Sequence, residues 1–239
     1  MLPLEDPNPR GELILGGING STAYGLATPA SDIDRIGCYV APTSQLHGLH
    51  PPTVKTSTWH GTAPDFTYHE AGKLAGLLLH CNPTVTELLW LDEYEVSQDA
   101  GEMLIDIRKT FLSEKYVRDA YFGYASQQFR RIKNREDGSF SSDTRKRTEK
   151  HARHLWRLLE QGVELHRTGK LTVRLRDGQA GLCRLFGEEV AAGNLDMAVD
   201  YLKWAEGEFD IPGVLPDVAD EGVVEQWLQF VRREYWDDF

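Results

Sequence analysis

Asp32 and Asp34 stand one residue apart in A-S-D-I-D, and a Gly-Ser pair, Gly20-Ser21, lies eleven residues ahead of them. On an extended strand, residues i and i+2 point to the same side. Both carboxylates then project together, with Ile33 on the opposite, buried face. Two carboxylates that close repel and raise each other's pKa unless a cation sits between them. A hard divalent ion resolves the conflict, because Mg²⁺ takes one or two carboxylates and fills its octahedron with water and phosphate oxygens. A pair of such ions clamps both the attacking and the leaving oxygen of an in-line displacement. The chemistry these residues suit is phosphoryl or nucleotidyl transfer.

A third acid on a neighbouring strand would complete such a site. Asp65 is the best candidate, since it opens D-F-T-Y directly after a turn; Asp92 is weaker, within the acidic run L-D-E-Y-E. The Gly20-Ser21 pair supplies the other half. In a strand-turn-helix context it aims backbone N–H groups and the Ser21 hydroxyl at a phosphate, helped by the helix dipole. Gly25 would let that helix pack close to a strand. The plainer alternative makes Asp32 a local cap or turn residue with Ser31, and Asp34 a surface acid in an ordinary turn.

The elements that must position these residues read as follows. An apolar run at 12–15 enters the Gly16-Gly17 turn as a strand, and 20–27 form a short helix ended by Thr28-Pro29. Alternation over 32–40 predicts a strand, 42–52 a loop, 53–59 a strand, 61–64 a turn and 65–68 another strand. Leu74, Leu77 and Leu78 place a helix over 69–80, and a further helix starts at Pro83 with Asn82 as its cap. Helices are then expected near 98–109, 114–135, 143–168, 179–191, 194–207 and 221–237. The polar, Gly/Ser-rich segment 134–143 joins two long helices. The expected fold class is α+β. A mixed β-sheet core with flanking helices over 1–110 is followed by a helical domain over 111–239 that holds substrate or acceptor.

The net charge of −11 is unevenly spread. Residues 1–103 carry 4 Lys/Arg against 13 Asp/Glu, residues 104–180 carry 18 against 10, and residues 181–239 carry 4 against 14. The basic middle is the part that suits a polyanion. No apolar run approaches the roughly 18–20 residues of a membrane span, and the N-terminus has no basic flank followed by an apolar stretch. Three cysteines, Cys38, Cys81 and Cys183, are odd in number and far apart, which fits reduced core thiols and a cytoplasmic protein.

With its G-S turn followed by D-x-D, the sequence resembles the DNA polymerase beta-like nucleotidyltransferase superfamily. It is similar more narrowly to the nucleotidyltransferase family of an RNA-repair pathway. Three stretches carry that narrower likeness: S-D-I-D-R-I-G-C-Y-V, then D-F-T-Y-H-E-A-G-K-L-A-G-L-L-L-H-C-N-P-T-V-T-E-L-L-W-L, then K-H-A-R-H-L-W-R-L-L-E-Q-G-V-E-L. The likeness covers about residues 13–170. It implies that Gly20 and Ser21 meet the nucleotide triphosphate and that Asp32, Asp34 and Asp65 are catalytic metal ligands in a two-metal Mg²⁺ or Mn²⁺ site. One departure is Ala71-Gly72 where bulkier residues are expected, with a helix cost of about 1 kcal/mol at Gly72. Lys73, one turn before Leu77, reaches a phosphate or is solvated.

Lys150, His154 and Arg157 share one face of a long helix, with His151 beside it. They would bind the triphosphate or an acceptor phosphate, serve structure, or, for the two histidines, ligate zinc, although no Cys or acid at zinc spacing accompanies them. Arg130, Arg131, Lys133 and Arg135, then Arg145, Lys146 and Arg147, flank segment 134–143 as a phosphate-contact band. Tyr121, Phe122, Tyr124 and Phe129 just before it suit a core better than a base-stacking platform.

The resemblance implies a metal-dependent transferase that moves an NMP from an NTP to a hydroxyl, most simply an RNA or tRNA end, and releases pyrophosphate. RNA would contact Arg130, Arg131, Arg145, Lys146 and Arg147. The alternatives are transfer to a protein or small molecule, or a catalytically silent nucleotide- or RNA-binding module.

Overall fold

The computed structural model of the chain describes residues 10–53, 55–134 and 142–236. The expected α+β class holds: a five-stranded mixed sheet with helices comes first, and a helical region follows. Contacts divide the chain into two compact units. One comprises Met1–Leu79, Thr84–Phe111 and Ala219–Phe239; the other comprises His80–Pro83 and Leu112–Val218. Where the sequence suggests a seam near residue 110 and one helical domain from 111 to 239, this division returns the last helix to the first unit.

In the first unit the strands are β1 (Glu12–Asn19), β2 (Asp34–Val40), β3 (Thr58–Thr62), β4 (Asp65–Glu70) and the short β5 (Val96–Ser97). Their spatial order is β3-β4-β2-β1-β5. β2 and β4 run parallel, and every other neighbouring pair is antiparallel. Period-2 alternation sorts the residues onto two faces. One face gathers Tyr39, Ala41 and Tyr68 with Leu13, Leu46, Trp59 and Phe66. On the other, helix α3 (Ala71–Leu79) packs against β2 and β4 and buries Leu74, Ala75 and Leu78. The short helices α1 (Gly20–Ala23), α2 (Thr43–Leu46) and α4 (Pro83–Leu88) follow β1, β2 and α3. α5 (Asp99–Asp106) packs on β1.

Two expectations shift. β3 begins at Thr58, five residues later than the Thr/Val-rich run suggested. Thr53 and Thr56 are occupied with each other: Thr53 N donates to Thr56 Oγ1 at 2.7 Å, and Thr56 Oγ1 donates back to Thr53 O at 3.1 Å. Such side-chain-to-backbone bonds compete with a sheet ladder. The helix expected over 20–27 closes after one turn, where Gly25 takes φ 71°.

In the second unit, α6 (Glu114–Lys133), α8 (Asp177–Ala191) and α9 (Leu195–Phe209) pack on the long helix α7 (Ser142–Thr168), whose Ala152, Leu155, Leu158, Leu159 and Leu165 are buried. Cys38, Cys81 and Cys183 are buried thiols outside any disulfide, as expected of core thiols. Burial pushes Cys81 and Cys183 up to about 11, so they stay protonated.

The final helix, α10 (Glu221–Glu234), is tied into the first unit by an apolar stripe and by hydrogen bonds. Its buried stripe is Val224, Trp227 and Val231, a helical spacing. The Trp227 indole donates to Ala100 O at 3.0 Å. Arg232 donates twice to the buried Glu70 at the end of β4, at 2.6 and 2.9 Å. Glu70 Oε2 also accepts from Gly72 N at 2.8 Å. A Cβ on Gly72 would lie 3.0 Å from Arg232 Nη2 and 3.3 Å from Glu70 Oε2. The Ala71-Gly72 departure therefore leaves room for this ion pair.

Removing one partner of a buried pair strands a charge, which costs about 3–5 kcal/mol, whereas replacing both is often nearly neutral. Arg232→Met is expected to destabilise the protein by roughly that amount in urea unfolding. Glu70→Gln added to Arg232→Met is expected to recover most of the loss. An Arg232→Met variant as stable as the wild type would remove the ion pair from this account of α10.

Candidate active site

The sheet register builds the site. Asn19 of β1 pairs with Asp34 of β2, Asp34 pairs with Asp65 of β4, and Asp65 pairs with Thr62 of β3. One row of residues, Asn19, Asp34, Asp65 and Thr62, thus crosses four strands. Parallel pairing puts the beginnings of β2 and β4 at the same end of the sheet, and adjacent strands lie about 4.8 Å apart. Two of the three expected acids are therefore opposite each other on neighbouring strands. Asp34 is half-buried and Asp65 is exposed.

Asp32 is placed differently from the expectation. The strand starts at Asp34, so Asp32 and Ile33 precede the ladder, and both are exposed, Ile33 by 49%. The cause lies in the partner strand. β1 ends at Asn19 because Gly20 adopts φ 66° and turns the chain away, so residues 32 and 33 have no ladder partner. Asp32 sits two residues upstream of Asp34, but the same-face rule for strands does not govern it. Among the described residues, no group of three or more His, Cys, Asp or Glu side chains is gathered closely enough to hold a metal.

Gly20 packs against Asp34. A Cβ built on it would lie 2.2 Å from Asp34 Oδ2, closer than side-chain atoms pack. Its left-handed backbone also favours glycine. Thus the first residue of the G-S turn is fixed by the second acid of D-x-D, which joins the two halves of the motif. Ser21 follows in the single turn of α1; its carbonyl accepts from Leu26 N at 2.9 Å. A single turn carries little macrodipole, so what this turn can offer an anion is its backbone N–H groups and the Ser21 hydroxyl.

Three nearby residues escaped the sequence reading. Asn19, 5% exposed, makes no capping bond to α1, and its Oδ1 is buried without a hydrogen-bond partner. Tyr24, just after α1, donates to Glu87 Oε2 at 2.7 Å, and Glu87 on α4 is fully buried. A buried carboxylate is costly unless hydrogen-bonded, so Tyr24 and Glu87 hold each other and brace the turn. The readable signal was an acid set between apolar residues in T-E-L-L.

Lys73 lies away from the acids. Its ammonium donates to Thr58 Oγ1, and Thr58 pairs with His69, four residues along β4 from Asp65. Within the helical unit, Lys150 is exposed, while Arg157 is 3% exposed and donates to Gln161 Oε1 at 2.7 Å. His154 Nδ1 lies 3.0 Å from Arg157 Nη2. Burial first, and then the charges of Arg157 and its neighbours, lower the His154 pKa to about 3, so the ring is neutral. Lys150, His154 and Arg157 share α7, but the last two are engaged in its packing. Arg130, Arg131, Arg145, Lys146 and Arg147 are all exposed; Arg135 and most of segment 134–143 lie outside the described residues. Tyr121 is in the core, and Tyr124 accepts from Asn82 Nδ2 at 2.9 Å.

Residues 8–181 match the family model of RlaP, described as the RNA repair pathway DNA polymerase beta family. The chain belongs to this family. As an RlaP-family member it is a nucleotidyltransferase-type protein of the DNA polymerase beta superfamily. A nucleotidyltransferase-like protein from Exiguobacterium sibiricum 255-15, known from its crystal structure, shares 12% identity over 95% of this chain and 75% of that one, with a TM-score of 0.35. No curated protein matches. Among the described residues, no helix of this RlaP-family chain is long and apolar enough to cross a membrane.

Two outcomes are expected. Gly20→Ala should lower stability by more than the roughly 1–2 kcal/mol of a side chain held in left-handed backbone, because the methyl also meets Asp34. Adding Asp34→Ala should recover part of that loss in a double-mutant cycle, and strict additivity would show that the contact is unimportant. The second concerns pH. Unfolded imidazole takes its proton near 6.5 but His154 only near 3, so its contribution is fully present above pH 6.5. It declines as pH falls toward 3, by at most about 1.4 kcal/mol per unit. His154→Gln should flatten the fall in urea-midpoint stability over that window, and an unchanged slope would refute the assignment.

Proposed function

We propose that this chain is a divalent-metal-dependent nucleotidyltransferase that moves a nucleoside monophosphate from an NTP to a hydroxyl at an RNA end. The observation that carries this reading is the register of Asp34 against Asp65 across β2 and β4, with Gly20 packed on the Asp34 carboxylate.

The donor set fits a hard cation. It consists of carboxylates without Cys or His, which suits Mg²⁺ or Mn²⁺ over softer metals. Mg²⁺ needs only one or two protein carboxylates beside substrate phosphates and water, which agrees with a pair in place of a three-residue protein cage. Asp34 and Asp65 would hold the ion, joined by Asp32 from the exposed approach to β2. Bound there, the metal would neutralise phosphate charge and make the acceptor hydroxyl more acidic.

The chain's own groups do the rest. Gly20 leaves the Asp34 carboxylate its place, and the backbone N–H groups of the turn, with the Ser21 hydroxyl, bind phosphate oxygens. Tyr24 and Glu87 keep that turn in place. The acceptor oxygen attacks the α-phosphorus, the bond from that phosphorus to the bridging oxygen breaks, and pyrophosphate leaves with the bonding electrons. Asp65, exposed at the start of β4, takes the hydroxyl proton. Catalysis of this kind is mostly positioning and charge neutralisation. The exposed residues Arg130, Arg131, Arg145, Lys146 and Arg147 supply a basic surface suited to an RNA backbone.

The test is incubation with each α-labelled NTP, Mg²⁺ or Mn²⁺, and a pool of small RNAs including tRNA. Label is expected on RNA and is expected to vanish in Asp34→Asn, with a loss of at least about a hundredfold for a group stabilising the transition state. Label on protein or a small product would replace the acceptor. Nucleotide binding without transfer would leave a silent binding module.

A further inference from the structure

The sheet face that carries Asp65 continues as a polar row without an assigned role. Asp65, Thr67 and His69 alternate on one side of β4. Across the antiparallel ladder, Thr62, His60 and Thr58 of β3 face them in turn. Side chains confirm the pairing: His60 Nδ1 lies 3.1 Å from Thr67 Oγ1, and His69 Nδ1 lies 3.0 Å from Thr58 Oγ1. Lys73 of α3 donates to the same Thr58 hydroxyl. Hydroxyls and neutral imidazoles can donate as well as accept, and the ammonium only donates, so the row can offer donors to oxygen anions. His60 is exposed, Thr67 and His69 are half-buried, and Thr58 is 7% exposed, so the row is open at His60 and closed at Thr58. Burial first, then Lys73 and His60, lower His69 to about 4, leaving it a neutral imidazole.

Position in the sheet says which phosphate the row meets. Gly20-Ser21 ends β1, on one side of β2; β4 and β3 lie on the other side. Asp34 and Asp65 stand between these two flanks. An in-line displacement keeps the leaving pyrophosphate and the attacking hydroxyl on opposite sides of the reacting phosphorus. With the triphosphate on the β1 flank, the acceptor enters from the β3–β4 flank. Two-residue strand steps place the His60–Thr67 pair roughly 7 Å and the Thr58–His69 pair roughly 13 Å beyond Asp65.

We propose that the row of His60, Thr67, His69, Thr58 and Lys73 is a subsite for backbone phosphate of the acceptor RNA, upstream of the hydroxyl that reacts. This rests on the transferase reading for its direction. The chemistry it requires, phosphate recognition, is shared with the nucleotide donor, so the test separates the two sources. Imidazole NMR on the full-length protein would follow His60 and His69 during titration with a short single-stranded RNA blocked by a 3′-deoxy end. A parallel titration would use a non-hydrolysable NTP with Mg²⁺. Both histidines are expected to shift with the RNA and not with the nucleotide. Lys73→Met should weaken RNA binding several-fold and reduce the slope of log affinity against log salt by about 0.7, the loss of one phosphate contact on a single strand. His60→Ala, at an exposed position, should weaken RNA binding without changing that slope. Neither variant should alter nucleotide affinity.

Shifts produced by the nucleotide, with nucleotide affinity lost in Lys73→Met, would assign the row to the donor and overturn the proposal. No response to either probe would overturn it as a phosphate site. Because neither probe can react, failure of the labelling assay with RNA bound at this row would count against the transferase reading and not against the subsite.

Discussion

The parallel pairing of β2 with β4 is the constraint from which the site follows. It sets Asp34 beside Asp65 on strands about 4.8 Å apart. A one-residue slip in that pairing would send one carboxylate to the opposite face. Register is therefore specified by packing on both faces of the same strands. Tyr39 and Tyr68 are buried on one side, Ile36 and Cys38 on the other, and none of these can change faces without exposing a core side chain. The acids stay together because the residues after them are apolar and buried.

Around that pair, the structure spends side-chain size carefully. Gly20 is small because Asp34 occupies the space where a Cβ would go, and Gly61 on β3 is small because the Phe66 ring lies 2.1 Å from where its Cβ would be. Gly72 leaves room for Glu70 and Arg232. Each absence admits a particular group: a carboxylate in the site, an aromatic ring on the core face, and an ion pair fastening α10. Glycine weakens helices and strands by roughly 0.5–1 kcal/mol, and here each loss is offset by a contact that a side chain would forbid.

Much of this arrangement was legible in the sequence, for identifiable reasons. Alternation in D-I-D-R-I-G-C-Y-V marked one strand, D-F-T-Y after a turn marked another, and the G-S turn with D-x-D marked what they carry. The start of β2 was not legible, because it depends on where β1 stops, and that depends on the left-handed backbone of Gly20. The Thr53/Thr56 turn looked like strand because Thr suits both, and hydrogen bonding three residues apart decided between them. Glu87 and Asn19 were missed because their roles come from burial, which one sequence reports weakly. Return of α10 to the sheet unit depends on Arg232 meeting a glutamate 162 residues earlier, a separation no local pattern records.

Charge was the least readable property, because its meaning depends on exposure. On α7, Arg145, Lys146 and Arg147 are exposed, whereas Arg157, three turns further, is buried against Gln161. The same residue type lies in solvent at one position and completes a core at the other. Lys73 gives a third case. From sequence it belongs with any phosphate near the acids. In the fold it is held by Thr58 at the far end of β4, with His69 kept neutral beside it. A cation so placed cannot be judged by distance along the chain from Asp65, only by the side of the acid pair on which it stands. Since the G-S turn ends β1 on one side of the acid pair, the acceptor subsite proposed above takes the β3–β4 side, where the donors of this row stand.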